Sequence, residues 1–224
     1  MNVNGRELLR GVFFIFMKKF SHFHKKNIEF CKVVVYTTVY TVEKGIYSMK
    51  KNRFLTLTAL LTAIAIVVPI VMPFKVVIPP ASYTLGSHVA IFIAMFLSPW
   101  MTVFVVLGST IGFFLAGFPF IIVLRAFSHI LFGTLGAIYL KKFPNILENK
   151  KSSWIFNIVL AIIHAIGEVF VCFVFYSVTG QDLQKLLYVL IVLVGVGTII
   201  HSIVDYVIAI GIYHSLKKFN KREA

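Results

Sequence analysis

Acidic residues are scarce in this chain. Asp and Glu together number 8 among 224 residues, and all charged residues make up 13% of the sequence. A soluble domain carries about 25% charged residues, which cover its surface. This chain has 59% hydrophobic residues and too little charge to cover itself in the same way. The composition therefore excludes an ordinary soluble protein and predicts an integral membrane protein.

Several motifs that would indicate other classes of protein are missing. The two cysteines, Cys31 and Cys172, are far apart, so neither a disulfide framework nor a zinc-binding spacing is present. No Ser or Cys nucleophile motif occurs, and no Gly-rich phosphate-binding loop of the GxxxxGK[ST] type. We therefore expect no enzyme, no cofactor and no ATP-hydrolysing module within the chain.

Basic residues, in contrast, are plentiful. Lys and Arg number 22, and the net charge is +14. Such an excess is compatible with nucleic-acid binding, but here the basic residues stand at the ends of apolar runs. That position is typical of the cytoplasmic flanks of membrane helices. We therefore expect a lipid environment and no nucleic acid.

The first 48 residues differ from the rest of the chain. Their apolar runs, 11–17 and 33–40, are far shorter than the roughly 20 residues that a membrane helix needs. A signal peptide is not indicated, because no convincing small-residue cleavage site follows. Met49 is followed by three basic residues and a long apolar run, as at a bacterial membrane-protein start. We expect residues 1–48 to be a disordered or non-native extension and residues 49–224 to form the membrane domain.

The membrane domain contains a series of apolar segments, and each predicts a membrane helix. A Ser-Pro-Trp break at residues 98–100 divides one long apolar stretch into two short segments, which predicts a helical hairpin. The predicted fold is therefore an all-α bundle of six transmembrane helices. The predicted segments are Leu55–Met72, Tyr83–Leu97, Met101–Ala116, Pro119–Leu140, Trp154–Val178 and Leu186–Leu216.

Clusters of Lys and Arg predict the orientation of this bundle. They precede the first segment, separate the fourth from the fifth, and follow the sixth. With six crossings all three clusters lie on one side, which the positive-inside rule makes the cytoplasm. We therefore expect both termini to be cytoplasmic. The first outer loop, 73–82, contains three prolines that prevent a continuous helix, and it is either a lid or a stiff connector.

Ionisable residues inside membrane segments are costly, and they usually face the interior of the bundle. On the fourth, fifth and sixth segments they occur in pairs spaced i, i+4, so both members of each pair share one face. Three such faces can meet in one cavity. The residues are His88 on the second segment, Arg125 and His129 on the fourth, His164 and Glu168 on the fifth, and His201 and Asp205 on the sixth.

Counting the helical rise from the segment ends predicts the depth of these residues. Arg125 and Glu168 each lie about 9 Å below the outer surface, and His88 lies in the same outer third. His129 and His164 fall near mid-membrane. The counting places the last pair deeper: His201 at or past the midplane and Asp205 nearer the cytoplasm. The upper group predicts a pocket that opens to the exterior.

Each of these residues also has a structural interpretation. Arg125 and Glu168 can form a buried ion pair that only stabilises the bundle. His88 can be a hydrogen-bonded packing residue, and the pair on the sixth segment can tether that helix. A metal site has tolerable ligand types, but the H-x-x-x-E spacing on the fifth segment is not a metalloprotease motif. We therefore expect no metal.

The first segment has no charge and instead carries small residues. Ala59 and Ala63 are four residues apart, so both lie on one face and would allow another helix to approach closely. This face either docks a partner membrane protein or packs within the bundle.

These features together resemble the substrate-binding S component of an energy-coupling factor (ECF) vitamin transporter. The resemblance covers residues 50–218, and the Ala59-x-x-x-Ala63 spacing is similar to the family motif that docks the transmembrane coupling protein. The stretches 79–88 (PPASYTLGSH) and 118–126 (FPFIIVLRA) look most like the niacin-type branch. The resemblance implies that the chain captures a vitamin outside and delivers it through the coupling protein and two cytoplasmic ATPases.

The resemblance also implies a binding site in the outer half of the bundle, under the first loop. Niacin is the favoured substrate because an arginine suits its carboxylate. Pantothenate, nicotinamide and pyrimidines remain open, as does a self-sufficient proton-coupled transporter or channel, which would take up its solute without ATPases. The expected docking residues are Ala59 and Ala63. The expected substrate-binding residues are His88, Arg125, His129, His164, Glu168 and His201.

Overall fold

The computed structural model of the chain describes residues 51–223. The predicted N-terminal extension and the predicted start at Met49 lie outside these residues. The described part is mostly helical, as predicted for a membrane protein. Its helices are α1 (Lys51–Val71), α2 (Val89–Leu97), α3 (Pro99–Leu115), α4 (Phe120–Lys142), α5 (Lys150–Val178), α6 (Leu183–Val189) and α7 (Gly197–Glu223).

Two irregular helical pieces complete the chain between these elements. A single 3₁₀ turn, Pro144–Leu147, joins α4 to α5. A π-helical segment, Leu190–Val196, joins α6 to α7 without interrupting the rod, so residues from 183 onwards form one long helical element. Four helical stretches of the described residues are long and apolar enough to cross a membrane. They are Asn52–Val71, Phe120–Lys142, Lys150–Val178 and Leu186–Lys218.

The break predicted between the second and third segments is present. Ser98 has extended backbone geometry, and Pro99 is the first residue of α3. Proline suits that position because its missing N–H would have no partner in the first turn of a helix. The resulting helices are short, with 9 residues in α2 and 17 in α3.

The first outer loop is a β-hairpin. Strands β1 (Lys75–Ile78) and β2 (Ala81–Thr84) pair antiparallel, with Lys75 opposite Thr84. All of β1 is exposed, whereas Ala81 and Thr84 of β2 are buried against the bundle. The prediction that a helix begins at Tyr83 is therefore wrong. These residues pair with β1, and α2 begins only at Val89.

Close packing of α1 on α3 depends on two glycines of α3. A Cβ atom on Gly108 would lie 2.4 Å from the Thr62 methyl group, and one on Gly112 would lie 2.5 Å from the Ile66 carbonyl oxygen.

Large apolar side chains such as Phe114, Ile155 and Phe170 face outwards from the bundle. Each is 64% exposed, as expected for a surface covered by lipid.

Replacing Gly112 with alanine is expected to destabilise the bundle. The new methyl group would press on backbone rather than on a flexible side chain, and overpacking of this kind costs about 1–3 kcal/mol. Thermal unfolding in detergent measures the effect as a lower midpoint. Gly211→Ala in α7 is the control, since its Cβ would meet nothing within 4 Å. Equal midpoints for the two variants would contradict the packing described here.

An ion pair shows that two of the basic clusters lie at the same end of the bundle. Lys217 of α7 donates to Glu148, in the connection between α4 and α5, at 2.5 Å. The basic cluster that follows α4 and the one near the end of α7 therefore occupy the same end of the bundle.

Cys172 is a buried free cysteine, as expected.

Candidate functional site

A group of buried polar side chains lies inside the bundle, beneath the β-hairpin. Six of its members were predicted as substrate-binding residues, and the seventh is Asp205. They come from α4, α5, α7 and the residue that precedes α2. Their exposures are 4% for His88, 3% for Arg125, 3% for His129, 2% for His164, 4% for Glu168 and 0% for Asp205, and His201 is half-buried. We call this group the polar cluster.

Arg125 and Glu168 form an ion pair at the centre of the polar cluster. The Arg125 Nη2 donates to Glu168 Oε2 at 2.6 Å, and its Nη1 donates to the Pro80 carbonyl at 2.6 Å. Thr198 also donates its hydroxyl to Glu168 Oε2. The guanidinium Nε has no hydrogen-bond partner although it is buried. The arginine thus holds a carboxylate of the bundle and a carbonyl of the hairpin at once.

Three imidazoles pack around this ion pair. The ring centroids of His88, His129 and His164 are 4.6 to 4.7 Å apart, so the rings form a triangle. The Nε2 atoms of His88 and His129 are 3.4 Å apart. Glu168 Oε1 lies 3.0 Å from His129 Nε2 and 3.4 Å from His164 Nε2. One carboxylate thus contacts an arginine through one oxygen and two histidines through the other.

Asp205 connects α7 to the start of α2. Its carboxylate accepts from the backbone N–H groups of Gly86 at 2.8 Å and His88 at 3.0 Å, and from His88 Nδ1 at 3.0 Å. His88 is the N-cap residue of α2, where the N–H group has no partner within the helix, and Gly86 lies in the turn before it. Asp205 therefore caps α2 from a different helix, and His201 lies beside it with Nε2 at 3.6 Å.

The predicted depth of Asp205 relative to His88 was wrong. The counting placed Asp205 nearer the cytoplasm, yet the two side chains are in contact. The count assumed a helical rise of about 1.5 Å per residue from Tyr83 onwards. Tyr83 and Thr84 belong to β2 instead and residues 85–88 form a turn, so a helical count from Tyr83 does not give the position of His88.

The β-hairpin covers the polar cluster and contacts it directly. Its turn supplies the Pro80 carbonyl to Arg125, and Tyr83 donates its hydroxyl to the Leu193 carbonyl in the π-helical segment. Ser87, between the hairpin and α2, lies 3.3 Å from His201 Nε2. The loop is therefore bonded to the candidate site on several sides.

The cavity beneath the hairpin is small, with a volume of about 10 Å³, which is room for about one water molecule. Sequence reasoning missed several of its neutral lining residues, because hydroxyl and apolar groups carry no charge signal. Thr198 could have been found, since it is three residues before His201 and so shares its helical face. The lining consists of Ser82, Ser87, His88, Phe113, Ile122, Arg125, Ala126, His129, Glu168, Thr198 and His201.

The small residues of α1 lie away from this site. Ala59 and Ala63 are both exposed, whereas Thr58 and Ala65 are buried. The packing of α1 on α3 uses the intervening residue Thr62 instead. The two alanines therefore form a smooth, outward-facing strip on α1, which we call the alanine strip.

Comparisons with known proteins find two vitamin transporters. The family model described as "ECF-type riboflavin transporter, S component" matches residues 49–218. The chain is also 41% identical over 169 residues to the niacin transporter NiaX of Lactococcus lactis subsp. cremoris. That alignment covers 75% of this chain and 76% of the relative. No solved structure matches the chain.

Proposed function

The chain belongs to the family of S components of ECF-type riboflavin transporters, and on that premise we propose that its substrate is niacin, bound in the polar cluster. As a family member it is a multi-pass cell-membrane protein that binds a vitamin for transport rather than catalysis. The family description names riboflavin and the 41% identical relative is named for niacin, so the choice between them depends on the site.

Size and charge of the site favour niacin. Riboflavin is a large three-ring molecule with a long hydroxylated chain, whereas nicotinate is one aromatic ring with a carboxylate. The cavity of about 10 Å³ must widen for either vitamin, and its lining includes Arg125, Glu168 and three imidazoles. Widening it for one ring demands much less displacement than widening it for a flavin. The compact, polar site therefore supports the smaller vitamin.

Buried Arg125 is the observation that carries this proposal. An arginine guanidinium binds a carboxylate through two parallel hydrogen bonds, which gives both affinity and orientation. Arg125 is 3% exposed, so these bonds would form away from water, where they are strongest. His88, His129 and His201, which line the cavity, would lie beside the pyridine ring, while Glu168 holds the guanidinium in place.

Capture of the vitamin would remove one of the contacts that hold the hairpin to the site. Nη1 of Arg125 now donates to the Pro80 carbonyl. A vitamin carboxylate would take over that donor, since an anion is a stronger acceptor than a neutral carbonyl. Vitamin binding would thus replace the Pro80 carbonyl at Arg125 and loosen the hairpin in the same step. The hairpin would then act as a lid over the site.

The proposed bundle crosses the membrane six times. Besides the four long stretches, α3 makes one crossing, and α2 together with the turn and strand β2 before it makes another. Both termini of the membrane domain then lie in the cytoplasm. The ion pair between Lys217 and Glu148 supports this, because it brings two basic clusters to one end.

The proposed partners are a transmembrane coupling protein and two cytoplasmic ATPases. The alanine strip on α1 would receive a helix of the coupling protein, because small side chains let two backbones approach closely in lipid. Energy for release of the vitamin would then come from ATP hydrolysis outside this chain.

A proton-coupled transporter is the second candidate function. A continuous series of short contacts runs from Asp205 through His88 and His129 to Glu168. Such chains of titratable groups serve as proton relays in pumps and transporters. The source of energy for uptake separates this candidate from the first.

A ligand panel tests the proposed substrate. Purified protein in detergent is expected to bind nicotinate at least about 10-fold more tightly than nicotinamide, because the neutral amide loses the charged bonds to Arg125, worth about 1.5–3 kcal/mol each. Riboflavin is expected not to bind. Isothermal titration measures all three, and mass spectrometry identifies small molecules that co-purify. Co-purified riboflavin, or equal affinity for nicotinate and nicotinamide, would contradict the proposal.

A further inference from the structure

The imidazole triangle has the dimensions of a metal site. One ring nitrogen from each of His88, His129 and His164 lies within 4.8 Å of the others, and the closest pair, Nε2 of His88 and Nε2 of His129, is 3.4 Å apart. Zinc–nitrogen bonds of about 2.0–2.1 Å set the ligand atoms of a tetrahedral ion about 3.3 Å apart. We propose that these three histidines bind a divalent transition-metal ion of the zinc, cobalt or nickel class.

Hydrogen bonding alone leaves this triangle poorly satisfied. Next to the Asp205 carboxylate, His88 Nδ1 must carry a proton, so a neutral His88 presents a lone pair at Nε2. That lone pair points at His129 Nε2. Both ring nitrogens of His164 and Nδ1 of His129 have no hydrogen-bond partner although they are buried. Buried polar atoms without partners are rare, and a cation bound to the three Nε2 atoms would supply a partner for one of them, His164 Nε2. At His129 the ion would replace the Nε2 proton that now faces Glu168.

The surroundings also match those of metal-binding histidines. A histidine ligand usually donates its other ring N–H to a carboxylate, which orients the ring and raises its basicity. His88 has such a partner, because its Nδ1 lies 3.0 Å from Oδ2 of Asp205. Glu168 Oε1 lies 3.0 and 3.4 Å from Nε2 of His129 and His164 and is the carboxylate that faces these two rings, although it does not belong to the three-histidine group itself. Three imidazoles suit zinc, cobalt or nickel rather than magnesium or calcium.

The sequence predicted no metal because the triangle does not lie on one helix. The i, i+4 pairs suggested His164 with Glu168 and His201 with Asp205, and neither pair is a metal motif. The three ligands come from α4, α5 and the residue before α2, so only the folded bundle brings them together.

A divalent ion would balance the charge of the site when nicotinate binds, and this role rests on the proposed function. With neutral imidazoles, the positive charge of Arg125 faces the negative charges of Glu168 and Asp205, which leaves one net negative charge. Nicotinate would add a second negative charge in a site with little water, and unbalanced buried charges are costly. A divalent cation would neutralise the complex. The ion would therefore bind together with the vitamin.

The direct test is a zinc titration of the whole membrane protein. The protein is purified in detergent with an affinity tag that contains no histidine, stripped with a chelator and titrated with Zn²⁺ by calorimetry and elemental analysis. We expect one equivalent of zinc. His129→Gln and His164→Gln are each expected to weaken binding at least about 100-fold, since even residues behind the ligands contribute 10–100-fold. His214→Gln, which removes an exposed histidine of α7, is the control and should leave binding unchanged.

Three outcomes would overturn the metal site. They are no zinc binding by the native protein, tight binding that survives in both glutamine variants, and loss of binding in the His214 control to the same extent. If the glutamine variants do not fold, the native protein decides alone. Co²⁺ held by the three imidazoles in a tetrahedral site gives the intense visible absorption of a tetrahedral ion, and a weak octahedral spectrum would contradict the site.

A second titration separates this proposal from that of the vitamin. Nicotinate is expected to bind at least about 10-fold more tightly with zinc present than after chelation, because one favourable charge contact is worth about 1.4 kcal/mol or more. Zinc binding without any nicotinate binding would overturn niacin as the substrate and support the metal site. Nicotinate binding that chelation leaves unchanged would overturn the joint binding of ion and vitamin.

Discussion

The double variant Arg125→Met, Glu168→Gln is expected to remain folded and to bind nicotinate at least about 100-fold more weakly than the native protein. Truncating a charge that is bonded across a buried interface costs about 2–5 kcal/mol, and each 1.4 kcal/mol is a factor of ten. Methionine retains much of the arginine volume, and glutamine retains the shape of the glutamate. Calorimetry with nicotinate measures the loss.

The double variant is needed because of the contacts of Glu168. Arg125→Ala alone would leave that carboxylate buried without its main partner, and breaking one side of a buried ion pair costs about 3–5 kcal/mol. Lost binding in the single variant would then not distinguish a ligand contact from a damaged fold. Thermal unfolding in detergent shows whether the double variant is folded.

Two controls complete this experiment. Glu168→Gln alone keeps the arginine and reports the contribution of the carboxylate. Lys142→Met replaces an exposed cation at the end of the same helix, α4, and should leave affinity unchanged. Native affinity in the folded double variant would remove Arg125 from the site and reduce the ion pair to a structural role.

Ala63→Trp is expected to abolish uptake while leaving nicotinate affinity within about twofold of the native value. Ala63 is exposed on the alanine strip, so a bulky ring there is tolerated by the isolated bundle. It would separate α1 from the helix of the coupling protein, because close approach in lipid depends on small side chains. Uptake is measured with radiolabelled nicotinate in vesicles that contain the coupling protein and ATPases, and Ala59→Trp should behave in the same way.

Gly211→Trp is the matched control for the docking face, since it introduces the same bulk on an open surface of α7. It should transport like the native protein. Normal uptake by Ala63→Trp would refute docking through the alanine strip. Uptake driven by a proton gradient in vesicles without the ATPases would instead support the proton-coupled transporter.

Hydropathy predicted the helical segments well because a membrane span needs a long apolar run, which is a local property of the sequence. The Ser-Pro break was equally local. The hairpin was not predictable in the same way, since its strands are short and its partners are far along the chain. Pro80 bonds to Arg125, 45 residues away, and Tyr83 bonds to Leu193, 110 residues away.

The polar cluster was predictable in its members but not in its geometry. The i, i+4 spacing on α4 and α5 placed Arg125 with His129 and His164 with Glu168, and both pairs now face one another. Periodicity cannot say which faces meet or how deep a loop reaches. For that reason the capping role of Asp205 and the contact of His88 with three other histidine rings emerged only from the structure.

The bonds that Asp205 accepts from Gly86 and His88 also limit which part of the hairpin could move. Asp205 holds the N–H groups of Gly86 and His88 on α7, so the chain is anchored at that point. Gly86 has a φ of 81°, a left-handed value that glycine adopts without strain. If the hairpin moves on vitamin binding, as proposed, its two strands would turn about Gly86, while α2 stays bonded to α7 through Asp205.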